Sequence, residues 1–303
     1  MTSCFSLVSF YGNRLHRSFI SSGLCPQTIE IDSETTISFW SPVSKSIEKQ
    51  SLILLHGFGP SSIWQWRCQV KALSPHFNLY IPDLIFFGKS TTKSSQRSEV
   101  FQATSIGKLL ETLGVEKYSV IGTSYGGFVA YNMAKLFEER VDKVVIASSG
   151  INKRLKDNME LLERAKEEKI EDLMLPKSPA QMRKLMALAV LNQPPYMPEF
   201  LLNDFINNLY SDNLEEKKEL LHGLTFGNDD QVHVSPLKQE VLIVWGEHDQ
   251  IFPLVKAIEL KEILGEKARL EVIKKASHMP QVEDYKKFNE IAIKFISRPK
   301  ALL

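Results

Sequence analysis

Apolar residues along this chain follow two alternating patterns. Short apolar runs occur at "SLILLH" (51–56) and "FNLYIPD" (77–83), and "YSVIG" (118–122), "KVVIAS" (143–148), "EVLIVWG" (240–246) and "RLEVIK" (269–274) complete a set of expected buried strands. A short run that is apolar at consecutive positions predicts a strand covered on both faces, as in a parallel sheet. Between these runs the apolar residues return every three or four positions. Phe101, Ile106, Leu109, Leu110 and Leu113 share one face of a helix predicted over 99–113. Further helices are predicted over about 127–138, 254–264 and 284–296. Near the start, "TIEIDSETTISFW" (28–40) alternates around a polar turn, the pattern of a β-hairpin. Strands alternating with amphipathic helices predict an α/β fold, a mostly parallel central sheet with helices on both faces.

One region breaks the alternation. Residues 151–235 show no strand pattern; they carry helical periodicity, charge runs such as "ERAKEEKIED", and prolines at Pro176, Pro179, Pro194, Pro195 and Pro198. Five of the eight methionines fall there: Met159, Met174, Met182, Met186 and Met197. This predicts a helical insertion over the C-terminal edge of the sheet. Its soft methionines suit the lining of an apolar pocket, or the filling of gaps between short helices. The expected organisation is an N-terminal segment (1–27), a core formed by 28–150 and 236–303, and the inserted helices of 151–235.

Composition narrows the classes. With 303 residues, 43% hydrophobic and 24% charged, the chain can bury one large core or two small ones. A net charge of +1 gives no basic excess for nucleic acid, and a neutral or apolar small molecule fits as a ligand. Cys4, Cys25 and Cys68 form neither a disulfide framework nor a metal knot, which points to a reducing, cytoplasmic setting. No apolar run of 18 residues is present, so no membrane span is expected. Residues 1–29 lack Asp and Glu and carry Arg14, His16 and Arg17 among serines. That start reads as a transit peptide to an organelle, or as an amphipathic segment that packs on the domain or touches a membrane surface.

Chemistry concentrates at strand ends. In "VIGTSYGGFVAYNMA" (120–134) a predicted strand runs into Ser124 and a predicted helix runs out. Gly122 and Gly126 remove side chains that would crowd such a turn, and the helix N-terminus aims unpaired N–H groups at the serine. The N–H of Tyr125 is one candidate oxyanion donor. "LLHGFGPSSIWQW" (54–66) follows an earlier strand and offers the N–H of Phe58 as a second. His56 reads as an organiser of that loop. Trp64 and Trp66 either wall a pocket or pack in the core, and packing is expected for one of the two. Asp249 lies on the loop after "EVLIVWG", with Glu247 and His248 as local alternatives for a carboxylate or base. His278, in "KKASHMPQVED", follows the last strand, and Pro280 restricts the loop behind it.

The order Ser124, Asp249, His278, on an alternating sheet with helices inserted before the acid, resembles the α/β-hydrolase superfamily. Within it the chain is similar to lid-bearing serine hydrolases such as monoacylglycerol lipases, small esterases and carbon–carbon bond hydrolases. The resemblance spans about residues 28–297. It implies a nucleophilic Ser124, a base His278 oriented by Asp249, an oxyanion site at Phe58 and Tyr125, and no metal or cofactor. Relatives that form alkyl-enzymes have aspartate where this chain has serine, so a small, largely apolar ester or acyl substrate is expected. Trp64, Phe86, Met186 and Phe226 are the candidate substrate contacts, with Phe200 and Phe205 adding to an apolar insertion. "YIPDLIFFGKS" (80–90) resembles the family's Asp-x-x-Gly-x-Gly-x-Ser loop, with Phe86 in place of the first glycine. Two other readings fit the same residues. One is a small-molecule receptor that retains the triad. The other is a carbon–carbon bond hydrolase, for which Arg154, Lys156, Arg183 or Lys184 would supply a cation.

Overall fold

The computed structural model describes residues 6–193 and 196–298; Cys4, Pro194 and Pro195 lie outside them. It begins with helix α1 (Leu7–Ser21), capped by the Ser6 side chain, which accepts from the Ser9 N–H. Val8, Leu15 and Phe19 are its buried face. Strands β1 (Leu24–Glu30) and β2 (Thr35–Pro42) follow as an antiparallel hairpin. Asp32 closes its turn by accepting from the N–H groups of Glu34 and Thr35. The hairpin starts at Leu24 rather than 28, because buried Leu24 continues the pairing as far as Pro42.

The core continues through β3 (Gln50–Leu55), α2 (Ser62–Gln65), α3 (Val70–Leu73), β4 (Phe77–Pro82), β5 (Thr91–Thr92), α4 (Glu99–Thr112), β6 (Tyr118–Thr123), α5 (Tyr125–Leu136) and β7 (Val141–Ala147). Between β7 and β8 come α6 (Leu155–Ala165), α7 (Ile170–Met174), α8 (Pro179–Ala189), α9 (Glu199–Leu209) and α10 (Leu214–His222). The chain closes with β8 (Glu240–Gly246), α11 (Leu254–Leu264), β9 (Ala268–Ile273), α12 (Pro280–Glu283) and α13 (Tyr285–Ile296).

The sheet order is β1-β2-β4-β3-β6-β7-β8-β9, with β5 pairing β2. From β4 to β9 every pairing is parallel; β1, β5 and β4 meet β2 antiparallel. Successive residues point to opposite faces of a strand, and in β3, β4, β6, β7 and β8 both faces are covered; β9, also expected to be buried, lies at the sheet's edge and leaves Arg269, Glu271 and Val272 exposed. Ile53, Leu55, Val120, Val144, Ile146 and Ile243 face a core shared with α4, α5 and α11. Leu52, Leu54, Ile121, Val145, Leu242 and Val244 face a second core with Phe288, Ala292 and Phe295 of α13 and Phe19 of α1. Full burial of such a side chain is worth about 1.5–3 kcal/mol, which is why the strands read as unbroken apolar runs. Among the described residues, no helix is long and apolar enough to cross a membrane.

Candidate active site

The β6–α5 turn sets the site. Ser124 has φ 50° and ψ −119°, a conformation that costs a non-glycine residue on the order of 1–3 kcal/mol. Its neighbours make the turn sterically feasible. A Cβ on Gly122 would lie 2.1 Å from the Gly126 carbonyl oxygen. One on Gly126 would lie 2.3 Å from that of Leu55, so the first turn of α5 sits directly on the end of β3. The Ser124 N–H donates to Ala147 O (2.9 Å), which ties the strained residue to β7.

Two further loops bring their side chains to Ser124. His278 Nε2 lies 2.9 Å from Ser124 Oγ, and its Nδ1 lies 3.1 and 3.0 Å from the two Asp249 oxygens. A carboxylate only accepts, so Nδ1 carries the proton and Nε2 is left to accept from the serine hydroxyl. Asp249 is itself held: Oδ1 also accepts from the N–H groups of Ile251 and Phe252, both at 2.9 Å. The Trp245 indole donates to Phe252 O (2.8 Å), and the Phe252 ring packs 5.5 Å from the imidazole. Asp249 and His278 are buried. Glu247 and His248 instead stand exposed and 3.6 Å apart, outside this relay.

The loop after β3 lies against Ser124: a Cβ on Gly57 would meet the Ser124 Cβ at 3.0 Å. The backbone N–H groups of Phe58 and Tyr125 have no acceptor among the described residues. Gln65 clamps the loop. Its Oε1 accepts from the Gly57 N–H (2.8 Å), and its Nε2 donates to Gly57 O (2.8 Å) and Pro60 O (2.6 Å). His56 supports the loop from below, with Nδ1–H donating to Gly57 O (2.8 Å) and Nε2 accepting from the Leu84 N–H (2.9 Å). Burial pulls its pKa down to about 4, and the Lys217 charge adds to that; it is a neutral organiser of the loop. Asp83, also buried, accepts from the Ser62 N–H at the start of α2 (2.8 Å). Burial pushes its carboxyl up to about 6, against the hydrogen bonding from Ser62.

A cavity of about 380 Å³ opens over Ser124 and His278. Trp64 and Met186 line it, as do Met174, Met182, Met197 and Phe205 of the inserted helices. Trp66 is the tryptophan that packs fully in the core. Two expected contacts are elsewhere. Phe86 does not line the cavity: its φ of 73° turns the side chain into the core, under the Arg97 guanidinium at 4.7 Å. Phe226 also lies outside it, stacked on Phe128 and edge-on to Tyr131, because it sits where the inserted chain returns to pack on α5. Met159 and Phe200 are exposed, at 64% and 66%. The proposed cations are also absent from the cavity wall. Arg154 pairs with Glu259, Lys184 with Glu167 (2.6 Å), Arg183 donates to Met197 O (2.8 Å), and Lys156 is exposed. Arg67 does line the cavity, and its guanidinium donates to Trp64 O.

Sequence reasoning missed Gln65, Arg67 and Tyr11 of α1, which also lines the cavity. Gln65 had a faint signal, a polar residue between two tryptophans one turn into a helix. Tyr11 had none, since nothing in the spacing joins residue 11 to a site after β6. Among the described residues, no group of three or more His, Cys, Asp or Glu side chains is placed to hold a metal ion.

The family model for the alpha/beta hydrolase fold matches residues 50–285, a span that includes Ser124, Asp249 and His278. The chain belongs to this family. Among its relatives, this alpha/beta hydrolase is 26% identical over 265 residues to a 2-hydroxy-6-oxo-6-phenylhexa-2,4-dienoate hydrolase of Comamonas testosteroni, covering 82% of this chain and 88% of that protein. The fold matches that of an enzyme of the same name from Rhodococcus sp. strain RHA1, with TM-score 0.75, 21% identity and coverage of 91% and 99%. It also matches a carboxylesterase from Bacillus subtilis, with TM-score 0.68, 19% identity and coverage of 95% and 98%.

Proposed function

We propose that this alpha/beta hydrolase is a serine esterase acting on a small, largely apolar carboxylic ester. The observation that carries the proposal is the Ser124–His278–Asp249 relay opening into an apolar cavity whose charged lining residue, Arg67, already donates to a backbone carbonyl. Ser124 Oγ attacks the acyl carbonyl as His278 Nε2 takes its proton, and the C–O bond to the alcohol breaks as His278 returns that proton to the leaving oxygen. Water then attacks the acyl-enzyme by the same route. The N–H groups of Phe58 and Tyr125 hold the oxyanion, and Asp249 stabilises the imidazolium. The methionine side chains of the cavity adapt to an acyl chain or aromatic group.

Carbon–carbon bond hydrolysis is the second reading, favoured by the Comamonas relative. A dienoate substrate carries a carboxylate, which would draw Arg67 away from Trp64 O at the cost of a half-buried hydrogen bond. The two readings separate in one panel of p-nitrophenyl esters of increasing chain length and 2-hydroxy-6-oxo-6-phenylhexa-2,4-dienoate. The esterase reading expects multiple turnovers on the esters, with kcat/KM rising with chain length and no dienoate cleavage. Preferred cleavage of the dienoate, lost in Arg67→Gln, would replace it with the second reading. Labelling of Ser124 without turnover on any substrate would point to a receptor.

A further inference from the structure

Helix α1 has two unlike faces. One packs on the protein through Val8, Leu15 and Phe19. It is tied to α9 by the Val8 N–H to Asp204 (2.9 Å) and by Ser9 Oγ to Asn208 (3.0 Å). The opposite face carries Leu7, Phe10, Arg14, Arg17 and Ile20 at helical spacing, all exposed. Phe200, at the start of α9, and Tyr196 before it are also exposed, at 66% and 74%. Tyr11 joins this face to the cavity: the residue is 43% exposed, its ring meets that of Trp64 at 5.6 Å, and it lines the cavity wall. The cavity above Ser124 therefore reaches α1.

Charge selects the occupant. Residues 1–29 contain no acid, so α1 offers cations and apolar side chains together. The acids of α9 are Glu199 and Asp204, and Asp204 is engaged by the Val8 N–H and the Asn208 amide. A second copy of the same face would bring like charges into contact across a two-fold axis. An anionic lipid surface accepts both components, since its headgroups attract the arginines and its acyl boundary takes Leu7, Ile20 and Phe200.

We propose that the outer face of α1, continued by Tyr196 and Phe200, docks on an anionic lipid surface and presents the adjoining cavity to substrate dissolved in it. Docking is independent of the chemistry proposed for Ser124; delivery of substrate rests on it. The test is co-sedimentation of the full chain with vesicles of phosphatidylcholine alone or mixed with phosphatidylglycerol, at low and high salt. Binding to the mixed vesicles is expected, weakened by salt. Arg14→Gln/Arg17→Gln should weaken it about thirtyfold, and Leu7→Ser/Ile20→Ser about tenfold or more. Circular dichroism and an unchanged melting temperature would exclude unfolding. Hydrolysis of a vesicle-borne ester should fall with binding, while hydrolysis of a dissolved short ester stays within about twofold. Absence of binding to mixed vesicles at low salt would overturn the proposal, and so would binding that survives both double substitutions. A concentration-dependent dimer dissolved by Leu7→Ser/Ile20→Ser would show the face to be a self-interface and would also overturn it. Vesicle binding without ester turnover would keep the docking and remove only the proposed chemistry.

Discussion

Gln65 is the residue that clamps the loop proposed to hold the oxyanion. Three hydrogen bonds from one amide fix Gly57 and Pro60 on either side of Phe58, whose N–H would otherwise be free to drift. Gln65→Ala should lower kcat on a p-nitrophenyl ester by about tenfold to a hundredfold with KM little changed, because the lost interaction acts on the transition state. An equal rise in KM would instead place Gln65 in ground-state binding. Beneath the loop, Asp83 and His56 titrate in opposite senses. Asp83 rises from 3.8 to about 6 on folding, so its contribution to stability is fully present below pH 3.8 and is lost as pH rises through about 6. His56 falls from 6.5 to about 4, so its contribution is present above pH 6.5 and is lost as pH falls through about 4. Each amounts to about 3 kcal/mol, and over this window they nearly offset one another. Asp83→Asn leaves the histidine uncompensated. Its melting temperature should fall more steeply than that of the wild type between about pH 6.5 and 4; parallel curves would contradict the assignment. At this scale the sequence was legible where chemistry coincides with a strand end. Ser124, Asp249 and His278 each follow a predicted strand, and the structure brings these three side chains into hydrogen-bond contact. Gln65 was not legible, because an amide reaching back across a loop leaves no periodic trace.

Between elements, the inserted helices are tied to the histidine loop by the Glu283 carboxylate and the Ser277 hydroxyl. Glu283 of α12 accepts from the Ser277 N–H (2.7 Å), next to His278, and from the Leu191 N–H (2.7 Å), next to the cavity residue Val190. Ser277 Oγ adds bonds to Leu188 O and His248 O, both at 3.0 Å. Glu283→Ala removes the acceptor shared by the N–H groups of Ser277, Leu191 and Asn192. It should lower kcat about tenfold and speed proteolysis around residues 190–193. An unchanged digestion pattern with full activity would show the bridge to be incidental. The element scale also shows the limits of apolar periodicity. Phe86 and Phe226 are apolar and buried, as their surroundings suggest, but the pattern says nothing of what covers them. A positive φ sends one into the core, and the return of the inserted chain stacks the other on Phe128. Trp64 and Trp66, two residues apart at the end of a short helix, likewise separate into cavity wall and core.

As a whole, the molecule is built on a sheet whose central strands are buried on both faces, and this made them readable. Strands that alternate between two cores must be apolar at nearly every position, and helices that cover them must carry a stripe. The N-terminal segment was harder to read, because an amphipathic, acid-free stretch is compatible with a targeting sequence, a packed segment and a membrane contact. The structure buries Val8, Leu15 and Phe19 of that segment and places Tyr11 beside the cavity. The strands carry the reactive loops on one edge, and the inserted helices roof that edge with methionines. Everything proposed for the chemistry depends on Ser124 being a working nucleophile. Labelling with a fluorophosphonate, followed by peptide mapping of the adduct in the wild type, Ser124→Ala and His278→Ala, examines that dependence. A single adduct on the peptide holding Ser124, absent from Ser124→Ala and slowed by a factor on the order of a thousand or more in His278→Ala, is the predicted result. Labelling that persists in Ser124→Ala, or none in the wild type, would contradict it.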